Sequence, residues 1–237
     1  MNILAVDTSG PVAGVAVLRD GLLAYEGAAV NKMTHSVNLM PMVEEALTRG
    51  GLGVEEIDLY AAVTGPGSFT VVRIGVSAVK GMAHGAGKPC LGIDALEALA
   101  TGLWTEGALI CPLRDARAGQ VYAAAFRAGM PPERKLPNMA VGLPEFVSAA
   151  LAACGEKETL CFVGDGAAAN RKALGDMLGE RAFFPPAHLA YLRPAGAALL
   201  AQARAHEAGD YLALRPQYLR APQAERAREA KRGAGTE

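Results

Sequence analysis

Neither sign of charge dominates this chain of 237 residues: 23 Lys plus Arg face 24 Asp plus Glu, a formal net charge of −1. Domains built to hold nucleic acid usually carry a clear positive excess, so any contact with RNA is expected to be local or indirect. The four cysteines, Cys90, Cys111, Cys154 and Cys161, lie in apolar stretches and never form a C-x-x-C pair. A zinc or dithiol motif is therefore not indicated, and they read as reduced core residues. No apolar run approaches the roughly 18 residues of a membrane span, and Asp7 arrives before any basic or long apolar leader; a cytoplasmic location is expected. Among His35, His84, His188 and His206, only His206 has a ligand-type residue at helical spacing, Asp210, and a Gly lies between them. No metal cluster is expected. No serine stands in the G-x-S-x-G elbow of a serine hydrolase.

What is present is apolar material, 51% of the chain, enough for one large core or two modest ones. Three β-rich segments, 2–6, 12–18 and 22–29, open the chain, the last two joined through Asp20-Gly21, a strong hairpin signal. An amphipathic helix is predicted over 35–49, with Thr34 as cap and Gly50-Gly51 as stop. A strand at 57–64, a helix at 70–86, a strand at 90–93 and a helix at 95–104 complete the first half. Its order is β-β-β-α-β-α-β-α. A boundary near Gly107 leads to a looser second half. Strands are predicted there at 108–113, 120–127 and 159–163, and helices at 144–153, 167–178 and 194–208, the last with Pro in its first turn. Residues 129–137, rich in Pro and charge, read as an exposed loop. From 221 onward the chain is charged and lacks an apolar stripe, so a frayed or disordered tail is expected; Arg226, Arg228, Lys231 and Arg232 there alternate with Glu225 and Glu229. No simple sequence repeat is visible.

Three loops invite chemistry. Asp7-Thr8-Ser9 follows the first strand, where sugar-kinase, actin and Hsp70-like proteins place an acid facing a metal-bound phosphate; the same residues also make an Asx or ST turn. Gly65-Pro66-Gly67-Ser68-Phe69-Thr70 links a strand to a helix and can present free N–H groups to an anion. It lacks the Walker lysine, and it serves equally as a turn capped by Ser68 or Thr70. Asp115-Ala116-Arg117 similarly orients a ligand or satisfies its own backbone.

The helix after Gly65 to Thr70 carries Gly75, Ala78, Gly81, Met82 and Gly85, although each interior Gly costs roughly 0.5–1 kcal/mol. Such small residues permit close approach of another helix, in the core or from a partner. The helix at 35–49 has two apolar rows, one with Val37, Met40 and Leu47 and one with Leu39, Met42 and Ala46, more than one sheet face requires. Pro41 should bend it. Met33, Met40, Met42 and Met82 add adaptable contact surface. The predicted partner face comprises His35, Leu39, Met42, Val43, Ala46, Gly75, Ala78, Val79, Gly81 and Met82.

These pieces together resemble the TsaB family over nearly the whole chain. The resemblance rests on Leu4-Ala5-Val6-Asp7-Thr8-Ser9, His35-Ser36 with Leu39 and Pro41, and Gly65 through Gly75. It extends to Asp115-Ala116-Arg117 with Val121-Tyr122, Val163-Gly164-Asp165-Gly166, and Pro216-Gln217-Tyr218-Leu219-Arg220. Val71 departs from the Gly usual in the family. The resemblance implies an α/β fold of the two-lobed actin, Hsp70 and sugar-kinase superfamily on ribonuclease-H-like sheets, with lobes 1–106 and 107–208 and segment 209–220 packing back on the first. It implies a non-catalytic subunit of the bacterial system that makes threonylcarbamoyladenosine at position 37 of tRNA. The partners implied are TsaD, the catalytic transferase, and the ATPase TsaE, with a homodimer when TsaD is absent. The H-x-x-x-H metal motif of TsaD-type enzymes falls at Ala95 and Leu99, and the stretch Val163 to Asn170 stands as a vestige of a nucleotide loop. Asp7, Thr8, Ser9, Gly65, Gly67, Ser68 and Thr70 are then a vestigial nucleotide or anion loop. An ATP-dependent kinase or transferase of the same superfamily is the competing expectation.

Overall fold

The computed structural model describes residues 1–30 and 35–220; Met33, the Thr34 cap and the tail 221–237 lie outside them. β1 (Ile3–Asp7), β2 (Ala13–Arg19) and β3 (Leu22–Ala29) form an antiparallel meander. Its second turn has Asp20 and Gly21 at φ 51° and 81°, the double positive φ of a tight hairpin. α1 (His35–Gly50), β4 (Leu59–Gly65), α2 (Phe69–Ala86) and β5 (Cys90–Asp94) follow. β4 pairs parallel to β1 and β5 parallel to β4, giving the order β3-β2-β1-β4-β5. After α3 (Ala95–Ala100) the second half supplies β6 (Ala108–Asp115), β7 (Gln120–Arg127), β8 (Glu133–Gly142), α4 (Leu143–Ala153) and β9 (Thr159–Val163). α5 (Asp165–Ala169), α6 (Arg171–Leu178), β10 (Ala182–Phe183) and α7 (Pro194–Ala203) complete it. Its sheet, β10-β9-β6-β7-β8, has the same order and directions as the first: three antiparallel strands, then two parallel ones. The repeat invisible in sequence is thus a repeat of topology.

Side chains alternate across a strand, and β1 shows what that alternation builds. Leu4 and Val6 join Leu39, Val43, Val72, Val76 and Val79 of α1 and α2 in an outer core. Ile3 and Ala5 face the other way, into a middle core with α3 and α7. From the second sheet, Ile110, Ala124 and Phe126 enter the middle core, while Leu109, Cys111 and Ala123 pack beneath α4. The result is five layers, with α3 and α7 between the two sheets. Only small and apolar sequences suit that position: α3 reads ALEALA and is buried throughout. Its one acid, Glu97, is ion-paired to Arg204 after α7 and lies 3.7 Å from Arg134 of β8, as a buried charge requires. Burying each large aliphatic side chain of these cores contributes roughly 1.5–3 kcal/mol.

After α7 the chain crosses back: Gly209 and Cys90 exchange backbone hydrogen bonds of 2.9 and 3.0 Å, Leu214 enters the outer core, and the Gln217 N–H donates to the Thr64 carbonyl at 2.8 Å. Several boundaries differ from those predicted. The expected loop at 129–137 is largely β8, an edge strand in which Pro137 lies within a register shift between Met139 and Leu136; edges tolerate Pro and charge. α3 ends at Ala100 rather than 104 because Thr101 turns extended and its hydroxyl donates to the Glu97 carbonyl. The helix predicted over 167–178 starts at Asp165 and breaks at Asn170, and α7 stops at Ala203, followed by a short 3-10 turn. α1 runs through Pro41 as one helix.

Candidate functional site

The C-terminal ends of β1, β4 and β6 and the N-terminus of α2 converge on a cleft of about 600 Å³ between the two sheets. Its floor is the turn after β1. Asp7 is 1% exposed; its Oδ1 accepts from the Ser9 N–H at 2.8 Å and from the Ser9 hydroxyl at 2.5 Å. Thr8 Oγ1 donates to the Val71 carbonyl and accepts the Gly75 N–H at 3.0 Å, tying the floor to α2. Among the readings of Asp7-Thr8-Ser9, the geometry is that of the Asx turn. Across the cleft, Arg114 of β6 brings Nη2 to 4.0 Å from Asp7 Oδ2, an ion pair between the lobes with both side chains buried.

The loop from Gly65 to Thr70 is held by crowding. Gly65 has φ 116°, and a Cβ at Gly67 would stand 2.2 Å from the Ser9 carbonyl oxygen, so only glycine lets the two loops touch. Ser68 takes the N-cap position of α2 without a side-chain bond, a correction to its predicted capping role. Phe69 stacks on Tyr218 with ring centroids 4.6 Å apart, the Arg73 guanidinium lies 3.8 Å above the Phe69 ring, and Arg73 Nε donates to the Tyr218 hydroxyl at 2.8 Å. Sequence reasoning did not pair Arg73 with Tyr218, 145 positions apart, and no local signal links them. On the opposite rim, Asp115 Oδ1 accepts from the Arg117 N–H at 2.7 Å, with Arg117, Ala118 and Gly119 all at positive φ. Asp115-Ala116-Arg117 therefore satisfies its own tight turn.

The predicted partner face divides. Leu39, Val43, Ala46, Gly75 and Val79 point into the chain's own core, a correction: the inward row of each helix is spent on the sheet beneath it. A Cβ at Gly75 would meet Thr8 Oγ1 at 2.6 Å, whereas one at Gly81 would meet nothing. His35 is half-buried, with Nε2 2.9 Å from the Gly10 carbonyl, to which it donates. What reaches the surface is Val37 at 55% exposure, Met40 at 49% and Pro41 on α1, with Gly81 and Gly85 on α2, and Met42, Ala78 and Met82 half-buried between.

Ala95 and Leu99 are buried in α3. Among the described residues no group of His, Cys, Asp and Glu could hold a metal, and no helix is long and apolar enough to cross a membrane. All four cysteines are free; burial pushes the Cys111 thiol well up and that of Cys161 up to about 12, which keeps them unreactive.

The family model described as TsaD, tRNA N6-adenosine threonylcarbamoyltransferase, matches residues 29–228. The tRNA threonylcarbamoyladenosine biosynthesis protein TsaB of Bacillus subtilis is 33% identical over 228 residues, 95% of this chain and 96% of that protein. A solved structure of YeaZ from Pseudomonas aeruginosa superposes with a TM-score of 0.72 at 26% identity, covering 92% of this chain and 99% of that one. The ethanolamine utilization protein EutJ of Carboxydothermus hydrogenoformans shares the fold alone, with a TM-score of 0.53 at 14% identity over 84% of this chain and 90% of that one. With sheets, loops and near full-length identity in agreement, the chain belongs to the family of the tRNA threonylcarbamoyladenosine biosynthesis protein TsaB.

Proposed function

We propose that this chain is a non-catalytic subunit of the system that makes threonylcarbamoyladenosine on tRNA, and that it binds a TsaD-type transferase through the exposed face of α1 and α2. The carrying observation is the row Arg73, Ser77, Gly81 and Gly85, exposed at i, i+4 spacing along α2. Beside it stand Val37, Met40 and Pro41 of α1, apolar and exposed without serving the core. Glycine without a neighbour leaves a shallow trough into which another helix can pack closely, and exposed apolar residues around it suit a protein partner.

Support for a non-catalytic role comes from the cleft. Asp7 is covered by Ser9 and faced by Arg114, an arrangement that opposes a hydrated metal cation beside its carboxylate. The resemblance puts the transferase histidines at Ala95 and Leu99, which have no ligand atoms. We further propose that the same trough self-associates when the transferase is absent, that the ATPase TsaE joins the assembly, that any contact with tRNA is indirect or weak, and that the complex works in the cytoplasm.

The test is the solution mass of this chain mixed with a purified TsaD-type transferase. Gly81→Arg fills the trough from a position with free space around it, so the variant should fold normally and lose the complex. An intact complex would overturn the assigned face. Calorimetry with magnesium ATP on the isolated chain separates the kinase reading, which requires binding at micromolar to millimolar affinity.

A further inference from the structure

Among the described residues, Arg114 has two of the buried polar atoms that lack a hydrogen-bond partner. Its side chain is 4% exposed, yet Nε and Nη1 reach no acceptor, and Nη2 stands 4.0 Å from Asp7. A guanidinium keeps its charge and all its N–H donors, and burying it without acceptors is strongly unfavourable. Two spaces border it. One is a small void of about 10 Å³ against Asp7, Leu99 and Tyr191, room for about one water molecule. A single water accepts too few bonds for the three N–H groups of Nε and Nη1. The other space is the cleft of about 600 Å³.

A second element faces the same cleft. The first turn of α2 lines it with Ser68, Phe69, Thr70 and Val71, and the Ser68 side chain leaves that turn uncapped. The end of an 18-residue helix presents free N–H groups and partial positive charge. Both acids on the rim are engaged by backbone donors: Asp115 Oδ1 accepts from the Arg117 N–H and Asp165 Oδ2 from the Asp115 N–H. Arg117 and Arg220 add cations to the rim.

We propose that the cleft binds one compact oxyanion, the carboxylate or phosphate group of a small metabolite, between Arg114 and the first turn of α2. The site goes beyond the partner-binding reading and does not depend on it. The recognised chemistry is the oxyanion itself; Asp7, engaged by Ser9, is not offered to a metal-bound triphosphate.

The full chain, labelled with ¹⁵N, is titrated with sodium phosphate and separately with sodium acetate at fixed ionic strength, following the arginine Nε–Hε signals. One arginine signal should shift saturably, with a dissociation constant of about 1 mM or tighter. Saturation by phosphate alone identifies a phosphate-bearing ligand, and by acetate alone a carboxylate; either supports the site. Arg114→Lys, which keeps a cation beside Asp7, should weaken binding about tenfold and remove the shifting signal. Thr70→Glu tests the other side from an exposed position where the added acid suits a helix N-terminus, so the fold survives; it should also weaken binding about tenfold. The proposal fails if neither anion saturates any arginine signal by ~50 mM, or if both variants bind as tightly as the natural chain.

Discussion

Gly75 and Gly81 lie on the same helix, less than two turns apart, and the structure predicts opposite consequences for the same substitution. At Gly75 a new methyl would stand 2.6 Å from Thr8 Oγ1, so the threonine must rotate away. That breaks two hydrogen bonds, to the Val71 carbonyl and from the Gly75 N–H, each contributing about 1 kcal/mol. Crowding adds at least about 1 kcal/mol, and alanine's better helix propensity offsets about 1 kcal/mol. Gly75→Ala should therefore destabilise by about 2 kcal/mol, lowering the melting temperature by roughly 4–8 °C in a chain of this size. At Gly81 only the propensity changes, because nothing lies within 4 Å of the new methyl; Gly81→Ala should stabilise by about 0.5–1 kcal/mol. Urea unfolding of the three proteins, with slopes checked for equality, measures both. A Gly75→Ala variant as stable as the natural chain would refute the account of the Thr8 anchor, and a destabilised Gly81→Ala would refute the open trough.

Three further outcomes are expected. Glu158, which accepts from both Arg127 Nη groups and from the Gly155 N–H, has its carboxyl held down at about 2 by those bonds, against an ordinary 4.5. Its contribution is present above about 4.5 and is lost as pH falls through about 2, so Glu158→Gln should flatten that part of the acid limb in urea midpoints taken across pH. Pulse labelling by a thiol reagent at neutral pH, read by mass spectrometry, should modify half-buried Cys154 first and reach Cys111 and Cys161 only upon unfolding; early labelling of Cys161 contradicts its placement. Tyr218→Ala removes the stack on Phe69 and the acceptor for Arg73, worth about 1–2 kcal/mol locally, and should speed hydrogen exchange at the Gln217 N–H while leaving that of β1 unchanged.

Much of the element pattern was legible because single segments decide it. The hairpin of β2 and β3 follows from Asp20-Gly21, and β3, β7 and β9 span the predicted 22–29, 120–127 and 159–163, since apolar β-rich runs between turn residues need no distant information. β8 was hidden because an edge strand has only one neighbour: its charges and Pro137 are affordable there and read locally as a loop. The break at Asn170 and the early end of α3 were hidden for a related reason, being set by what each helix meets rather than by its propensity.

For the candidate site the division is sharper. Residue order alone specified which residues stand at the strand ends, the glycines that permit Ser9 to touch Gly67, and a stripe of small residues along α2. Whether Asp7 faced a ligand or its own turn was decided only when Ser9 folded onto it and Arg114 arrived from the other sheet, 107 residues away in the chain. Likewise, the rows of α1 and α2 were both apolar enough to face either way. The sheet beneath took Leu39, Val43, Gly75 and Val79 and left Val37, Met40 and Gly81 outside, because alternation and helical periodicity define faces, and only packing decides which face is inward.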